Sequence, residues 1–281
     1  MKSKAHQHEI RVLAIGMLDS VHFARWLESV RGLPVEFTIF PSGPNRKVHS
    51  LIKRLLADNP QQFFLGGVLA TFSLPVWIIN RVLMGRIRAF FIWCLLRTRA
   101  YEVVHFHEMQ SGSYPLVHLP ARSLAKSKVI FTPYGSGLFW FQNKPKHLHR
   151  IRSTLMITDG MFPECGRDIE LARLFGFKGE VFSIMPAAGP AQMARKNLDS
   201  IGARSKITGK GYGGTWGRAV DVLRSLEKIQ DNLLGFEIHL TSATRDVIRE
   251  VRLLHRSSNL RLVLHPKFAL TPKVGMSLLA E

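Results

Sequence analysis

Residues 10–40 read IRVLAIGMLDSVHFARWLESVRGLPVEFTIF, and this stretch decides the fold class. Ile10 to Ile15 is a short apolar run of the kind a buried strand needs. Gly16-Met17-Leu18-Asp19-Ser20 follows as a loop, and Phe23, Trp26, Leu27 and Val30 then recur at the spacing of one helix face. Val35 to Phe40 reads as the next strand, closed by the turn residues Pro41-Ser42-Gly43-Pro44-Asn45. Strand, helix and strand in so short a span form the unit from which parallel sheets are assembled.

The alternation continues outward. Tyr101 to Phe106 and Lys128 to Thr132 read as strands, Leu155 to Thr158 and Glu180 to Ile184 as two more, and Cys165 to Phe175 as a helix. Pro186-Ala187-Ala188-Gly189-Pro190 punctuates the chain as a domain boundary would. The pattern then restarts with a strand reaching Gly209, a glycine-rich loop from Lys210 to Gly217, and a helix from Arg218 to Gln230. That helix carries Ala219, Val222, Leu223, Leu226 and Ile229 on one face. Phe236–Leu240 and Leu260–Leu264 read as strands around a helix from Arg245 to His255. Two α/β domains are therefore expected, 1–188 and 189–281. Ligands of such parallel sheets bind outside the carboxyl ends of the strands.

Composition sets bounds on the partners. The 281 residues suit two domains, and Lys plus Arg number 39 against 20 Asp plus Glu, a formal charge of +19. That excess favours phosphates, acidic headgroups, acidic polysaccharide or nucleic acid and does not choose among them. The basic residues are dispersed and spell no recognition motif, so nucleic acid is not an expected partner. Cys94 and Cys165 lie in unlike contexts, which suits reduced thiols in a cytoplasmic protein. Met1 to Glu9 has no apolar run after its lysines, so no secretory signal is expected. Phe63 to Ile79 is nearly uncharged, and Arg81 to Leu96 mixes arginines with apolar residues. Pro75, Asn80 and Gly66-Gly67 interrupt the run, so buried or partly buried helices of the first domain are expected. A basic amphipathic surface at the inner membrane leaflet and a true span are the alternatives.

Several segments could carry chemistry. Gly16 would let backbone approach a ligand at a helix start, with His22 beside it, although a tight turn bearing a surface histidine explains the same letters. His105 and His107 share one face of an alternating strand. Glu108 and His107 are the candidates for general acid/base work or for holding hydroxyls, with His105 a packed core residue. No third ligand lies nearby, so no metal is expected. Gly135 and Ser136, within Thr132-Pro133-Tyr134-Gly135-Ser136-Gly137, sit in a ligand-facing loop or a plain turn. Asp168 suits a helix N-terminus, and Arg167 holds either a phosphate or an internal acid. In Thr208-Gly209-Lys210-Gly211-Tyr212-Gly213-Gly214-Thr215-Trp216-Gly217-Arg218, glycines would admit phosphate to main-chain N–H groups, while Lys210 and Arg218 supply charge. The Walker spelling is absent.

In order and spacing these motifs resemble the family 4 glycosyltransferases. The matching text is Gly16 to Trp26 with His22-Phe23-Ala24-Arg25-Trp26, His105 to Gln110, Thr132 to Ser136, and Ile157-Thr158-Asp159. It continues with Cys165 to Asp168, Leu174-Phe175-Gly176-Phe177 and Gly209 to Leu226. The resemblance implies a GT-B type α/β fold of two Rossmann-like domains, the second incomplete. The first would bind an acceptor and the second a nucleotide-diphosphate sugar. It implies retaining sugar transfer in cell-envelope or polysaccharide synthesis, with no cofactor beyond the sugar nucleotide as donor. The diphosphate would lie on Gly209, Lys210 and Arg218, with Ser242 on the nucleotide side. Glu108 and the loops of Gly16, His22, Gly135 and Ser136 would face acceptor and sugar. Gly137 and Pro133-Tyr134 depart from the family's usual letters, and its paired-glutamate segment is expected beyond residue 281. Expected partners are the nucleotide sugar, a glycan or lipid-linked acceptor, and an anionic membrane touched peripherally. The alternative is a truncated non-catalytic remnant or binding subunit, whose second sheet has an exposed edge and an uncovered apolar face that call for a partner chain.

Overall fold

A computed structural model describes residues 10–43, 48–66, 83, 85–134, 136–185, 205–214 and 217–266. The chain divides into two compact units, Met1–Ala191 and Gln192–Glu281.

The first unit is built on seven strands: β1 Ile10–Gly16, β2 Val35–Pro41, β3 Phe63–Leu65, β4 Val103–His107, β5 Lys128–Thr132, β6 Gly160–Met161 and β7 Glu180–Val181. Every pairing is parallel, in the order β3-β2-β1-β4-β5-β6-β7. The helices are α1 Val21–Ser29, α2 Ser50–Asp58, α3 Arg86–Thr98, α4 Ser136–Phe139, α5 Pro145–Met156 and α6 Gly166–Leu174. Successive residues of β1 serve opposite faces of the sheet, as the strand period of two demands. Val12 and Ala14 join a core with Phe23, Trp26, Leu27, Phe37 and Ile52. Leu13 and Ile15 join the other core, with Ile92, Val104, Phe106, Phe131, Ile151 and Leu155. Burial on both faces explains why the middle of β1, Val12–Ile15, reads as an unbroken apolar run.

Local signals account for α1. Ser20 has extended backbone and its hydroxyl accepts the Phe23 N–H at the helix start, while Phe23, Ala24, Trp26 and Leu27 form the buried side. Elsewhere the expectation failed. Leu155 to Thr158 is not a strand, because Leu155 and Met156 end helix α5. Ile151, Thr154 and Leu155 are all buried and stand at helical spacing, so their apolar character belongs to a 3.6-residue period. The strand begins one residue after Asp159 instead. In Glu180 to Ile184 only Glu180 and Val181 pair with β6. Of the apolar stretch from Phe63 to Leu96, β3 and α3 are described, whereas 67–82 and 84 lie outside the described residues. Among the described residues no helix is long and apolar enough to cross a membrane.

The second unit holds β8 Lys206–Lys210, β9 Glu237–Ala243 and β10 Arg261–Pro266, parallel in the order β10-β9-β8, with helices α7 Ala219–Lys228 and α8 Arg245–Ser257. Leu223, Val247, Val251 and Leu254 of the helices pack with Ile238, Leu240 and Leu262 of the strands. Val222 and Ile229 were expected on the buried face of α7 but are 50% and 47% exposed. At about 100° per residue they stand roughly 60–80° from Ala219, off the stripe that Ala219 and Leu223 define. The uncovered apolar face expected of this sheet is also corrected. By alternation, the side away from the core carries Glu237, His239, Thr241, Arg261, Val263 and His265, polar at all but one position. Arg261 Nη2 donates to Glu237 Oε1 at 2.8 Å, and His239 Nδ1 lies 2.9 Å from His265 Nε2.

Candidate functional site

In the first sheet the chain runs outward from β1 through β2 to β3, then returns to the other side of β1 as β4 and proceeds to β7. Strand order therefore reverses between β1 and β4. In open α/β sheets the loops beyond the carboxyl ends at such a point splay apart and form the usual ligand crevice. The loop after Gly16 and the residue after His107 flank this position, because Ile15 pairs with Phe106 in parallel register.

Glu108 leaves β4 with φ 66° and ψ 153°, a backbone state that side-chain-bearing residues rarely adopt. It and Ser242 are the two non-glycine residues of positive φ among those described. Strain of this sort costs on the order of 1–3 kcal/mol and persists only where surrounding contacts enforce it. Here they do. Glu108 Oε1 accepts the N–H of Ser111 and the N–H of Gly112, each at 2.6 Å, and the Ser111 hydroxyl as well. The carboxyl thus caps the wide helical turn Met109–Ser113. Burial lifts its pKa above the usual carboxylate range, while the three donors and the charge of Arg88 pull the other way. Arg88, itself 5% exposed, is lowered to about 10 by burial, with Glu108 opposing.

His107 and His105 lie on the same face of β4 with ring centroids 4.2 Å apart. Trp26 of α1 packs on both, at 4.7 Å from His105 and 4.3 Å from His107, and Phe23 lies 4.9 Å from His107. Burial depresses both imidazoles, His105 to about 3 and His107 well below the ordinary value, so both are neutral at physiological pH. Their hydrogen bonding differs. His105 Nε2 is 2.8 Å from Thr132 Oγ1, as befits a core histidine. Among the described residues neither ring nitrogen of His107 finds a partner, nor does the Tyr134 hydroxyl or that of Ser42. Ser42 follows β2, His107 ends β4 and Tyr134 follows β5, so these atoms line up along one edge of the sheet. Buried polar atoms are nearly always paired, and a row of exceptions calls for a cause. A neutral imidazole and a phenol each offer one donor and an acceptor, which suits uncharged hydroxyls.

The other sequence candidates of this unit fare variously. A Cβ on Gly16 would come within 2.6 Å of the Phe23 ring, so the close approach it permits is to that side chain. His22 is exposed and stands 5.7 Å from the Tyr134 ring. Ser136 opens α4, and Gly135 lies outside the described residues. Asp168 is fully buried near the start of α6, where its Oδ2 accepts the Glu164 N–H at 3.3 Å. Arg167 resolves toward the internal acid: Nη2 is 3.5 Å from Asp168 Oδ1, and the guanidinium lies 4.4 Å from the Phe139 ring.

In the second unit, the glycine turn after β8 is held by its own chain. Gly211 N–H donates to Thr241 O at 2.7 Å, and Gly213 N–H to Thr244 Oγ1 at 3.0 Å. A Cβ on Gly211 would meet Ala243 Cα at 2.7 Å, one on Gly213 would strike the Asp246 carboxylate, and one on Gly217 the Tyr212 carbonyl. Tight packing thus explains three glycines that had been read for phosphate access. Gly209 lies in β8, Lys210 is exposed at its end, and Arg218 precedes α7 with Nη1 3.0 Å from Asp221 Oδ2. Ser242 has φ 58°, and the β9–β10 register slips at this point, Thr241 facing His265 and Ala243 facing Pro266. It is a bulge residue, and bulges re-aim side chains at strand ends. Thr215 and Trp216 lie outside the described residues.

Ser42, Tyr134 and Arg88 were not singled out from the sequence. Arg88 had a signal, an arginine within a run of apolar helix positions; Ser42 and Tyr134 had none beyond membership of a turn. Among the described residues no group of His, Cys, Asp and Glu is arranged to hold a metal ion.

No protein-family model and no curated protein matches the sequence. Solved structures do match in three dimensions. The S. aureus MnaA–UDP structure matches with a TM-score of 0.60 at 9% identity, over 96% of this chain and 71% of that one. UDP-GlcNAc 2-epimerase from Neisseria meningitidis bound to UDP-GlcNAc gives 0.59 at 12% identity, over 95% and 75%. Anabaena HepE in complex with UDP and glucose gives 0.53 at 9%, over 92% and 70%. At these identities the likeness is one of fold: the chain is an α/β protein with the parallel-sheet, Rossmann-like architecture of GT-B enzymes that use UDP-sugars.

Proposed function

We propose that this protein binds a nucleotide-diphosphate sugar and transfers the sugar, with retention, to a glycan or lipid-linked acceptor of the cell envelope. The observation that carries the reading is the edge of the first sheet: a backbone-strained Glu108 at the topological switch point, beside unpaired polar atoms of His107, Tyr134 and Ser42. Strained backbone and unpaired buried polar atoms are features that folding alone disfavours, and they gather where ligands act. The solved structures of like fold support the substrate class, since they hold UDP, UDP-GlcNAc, and UDP with glucose.

On this reading the first unit supplies the acceptor and sugar contacts through Glu108, His107 and the loops of His22, Tyr134 and Ser136. At 1% exposure His107 meets a ligand only when residues around it move. Glu108, whose proton is held more tightly than in water, would accept or donate a proton at a sugar hydroxyl. The second unit contributes Lys210 and Ser242 on the nucleotide side. Arg218 would have to exchange Asp221 for a phosphate. The donors at Gly211 and Gly213 would stay with their present partners.

A second reading has its own support. With those donors engaged and Arg218 paired, the chain would act as a binding subunit without turnover. Titration calorimetry of the full chain with UDP-, GDP- and ADP-sugars, followed by NMR of the anomeric signals, separates the cases. A transferred sugar with retained configuration supports transfer; binding without chemistry supports the subunit; a changed sugar still on its nucleotide indicates epimerase-type chemistry. Absence of binding across the panel refutes the sugar-nucleotide reading altogether.

A further inference from the structure

Helix α3 carries a stripe of aromatic and basic residues on its outer side. Arg86, Phe90, Trp93 and Arg97 recur at intervals of four, three and four, which places them in one stripe along the helix. The opposite side buries Arg88, Ala89 and Ile92. Phe90 is 57% exposed, its ring stacks with that of Trp93 at 5.9 Å, and the Arg97 guanidinium lies 5.6 Å from the Trp93 ring. Leu83, one turn earlier, is 40% exposed. Between Asp58 and Glu102 the sequence has no acidic residue but five arginines: Arg81, Arg86, Arg88, Arg97 and Arg99. Of these, Arg99 is committed to Glu36 at 2.5 Å and Arg88 is buried.

We infer that α3 docks the protein onto an anionic lipid surface, with Phe90 and Trp93 entering the headgroup layer and Arg86 and Arg97 on lipid phosphates. A tryptophan settles at the membrane interface because its ring is apolar and its N–H polar, and a neighbouring phenylalanine adds apolar area that leaves water. A guanidinium stacked on such a ring keeps its donors directed outward to phosphate. Charge decides the occupant. A second copy of the chain would set the arginines of this stripe against arginines, whereas an anionic leaflet neutralises them. This inference stands independently of the proposed chemistry.

The test is co-sedimentation of the full chain with phosphatidylcholine vesicles and with mixed phosphatidylglycerol–phosphatidylcholine vesicles. Wild type should bind the anionic vesicles and be released by salt. Each arginine near an anionic surface strengthens partition about five-fold, so R86Q/R97Q should lose roughly 25-fold. Phe90→Ser should lose on the order of tenfold. K146Q/R152Q, which removes two exposed charges from α5, should leave binding within about two-fold at the same net charge as R86Q/R97Q. Circular dichroism checks that each variant folds. Equal loss from K146Q/R152Q would show only diffuse attraction and overturn the inference. Equal binding to neutral vesicles, no binding to either kind, or a dimer in lipid-free solution that F90S dissolves would each do the same.

Discussion

Replacing His107 by leucine should stabilise the fold at neutral pH and weaken its function. The ring is buried among Phe23, Trp26, His105 and Tyr134, and neither nitrogen has a partner among the described residues. Removing an unpaired buried polar group relieves about 1–3 kcal/mol of desolvation, offset by imperfect repacking, so H107L should gain on the order of 1 kcal/mol at pH 7.5. The acid response provides a second, sharper reading. Both buried imidazoles have folded-state pKa values below the unfolded value near 6.5, so the unfolded chain takes up protons first. Their contribution is complete above that value and is lost as pH falls. Linkage gives about 1–2 kcal/mol per site on going from pH 7.5 to 5.5, hence about 3 kcal/mol for the pair. His105, held to about 3, remains neutral over the whole interval. Glu108 acts with the opposite sign, its raised pKa favouring the fold at low pH, but it is common to both proteins and cancels in the difference. Urea denaturation of wild type and H107L at the two pH values measures this directly. Tryptophan fluorescence is a suitable signal, since Trp26, Trp77, Trp93 and Trp140 lie in the first unit. H107L should lose about 1–2 kcal/mol less stability on acidification than wild type, one site's share. Identical acid losses would refute the burial argument, and unchanged sugar-nucleotide binding would remove His107 from the site.

Gly16→Ala should cost about 1–3 kcal/mol by thermal denaturation, because its Cβ would press on Phe23, which packs against Trp26 and His107; a neutral result would mean that the ring yields freely. Ser242→Gly should gain up to about 1 kcal/mol in urea by relieving the left-handed backbone, while weakening sugar-nucleotide binding in calorimetry; destabilisation would contradict the strain assignment. Glu108→Ala should cost about 2–3 kcal/mol through its lost acceptor, and Glu108→Gln less, with the low-pH advantage gone from both; equal effects would show that charge is irrelevant there. Lys210→Ala should weaken sugar-nucleotide binding by about 1–3 kcal/mol and Arg218→Ala by less, since Arg218 is already paired with Asp221; the reverse order would reassign the phosphate contact.

The class of fold was legible because strands such as Val12–Ile15, buried on both faces, write themselves as apolar runs, and helical spacings alternate with them along the chain. Helices that bury a narrow stripe were harder. Helix α5 was missed because its lysine, histidines and arginines outnumber the apolar residues, and its last turn was mistaken for a strand. Ser242 and Glu108 were named from the sequence, yet nothing in their letters announced the positive φ that sets them apart.

By itself the sequence determined the period of each buried segment, the basic balance and the location of turns, since these depend on residues near one another in the chain. Only the tertiary structure decided which loops meet. Strand order brings residue 16 beside 107, and a glycine reads the same whether it makes room for a ligand or for its own protein. Gly16 makes room for Phe23, and Gly211 for Ala243, because packing across strands fills the space before any ligand arrives.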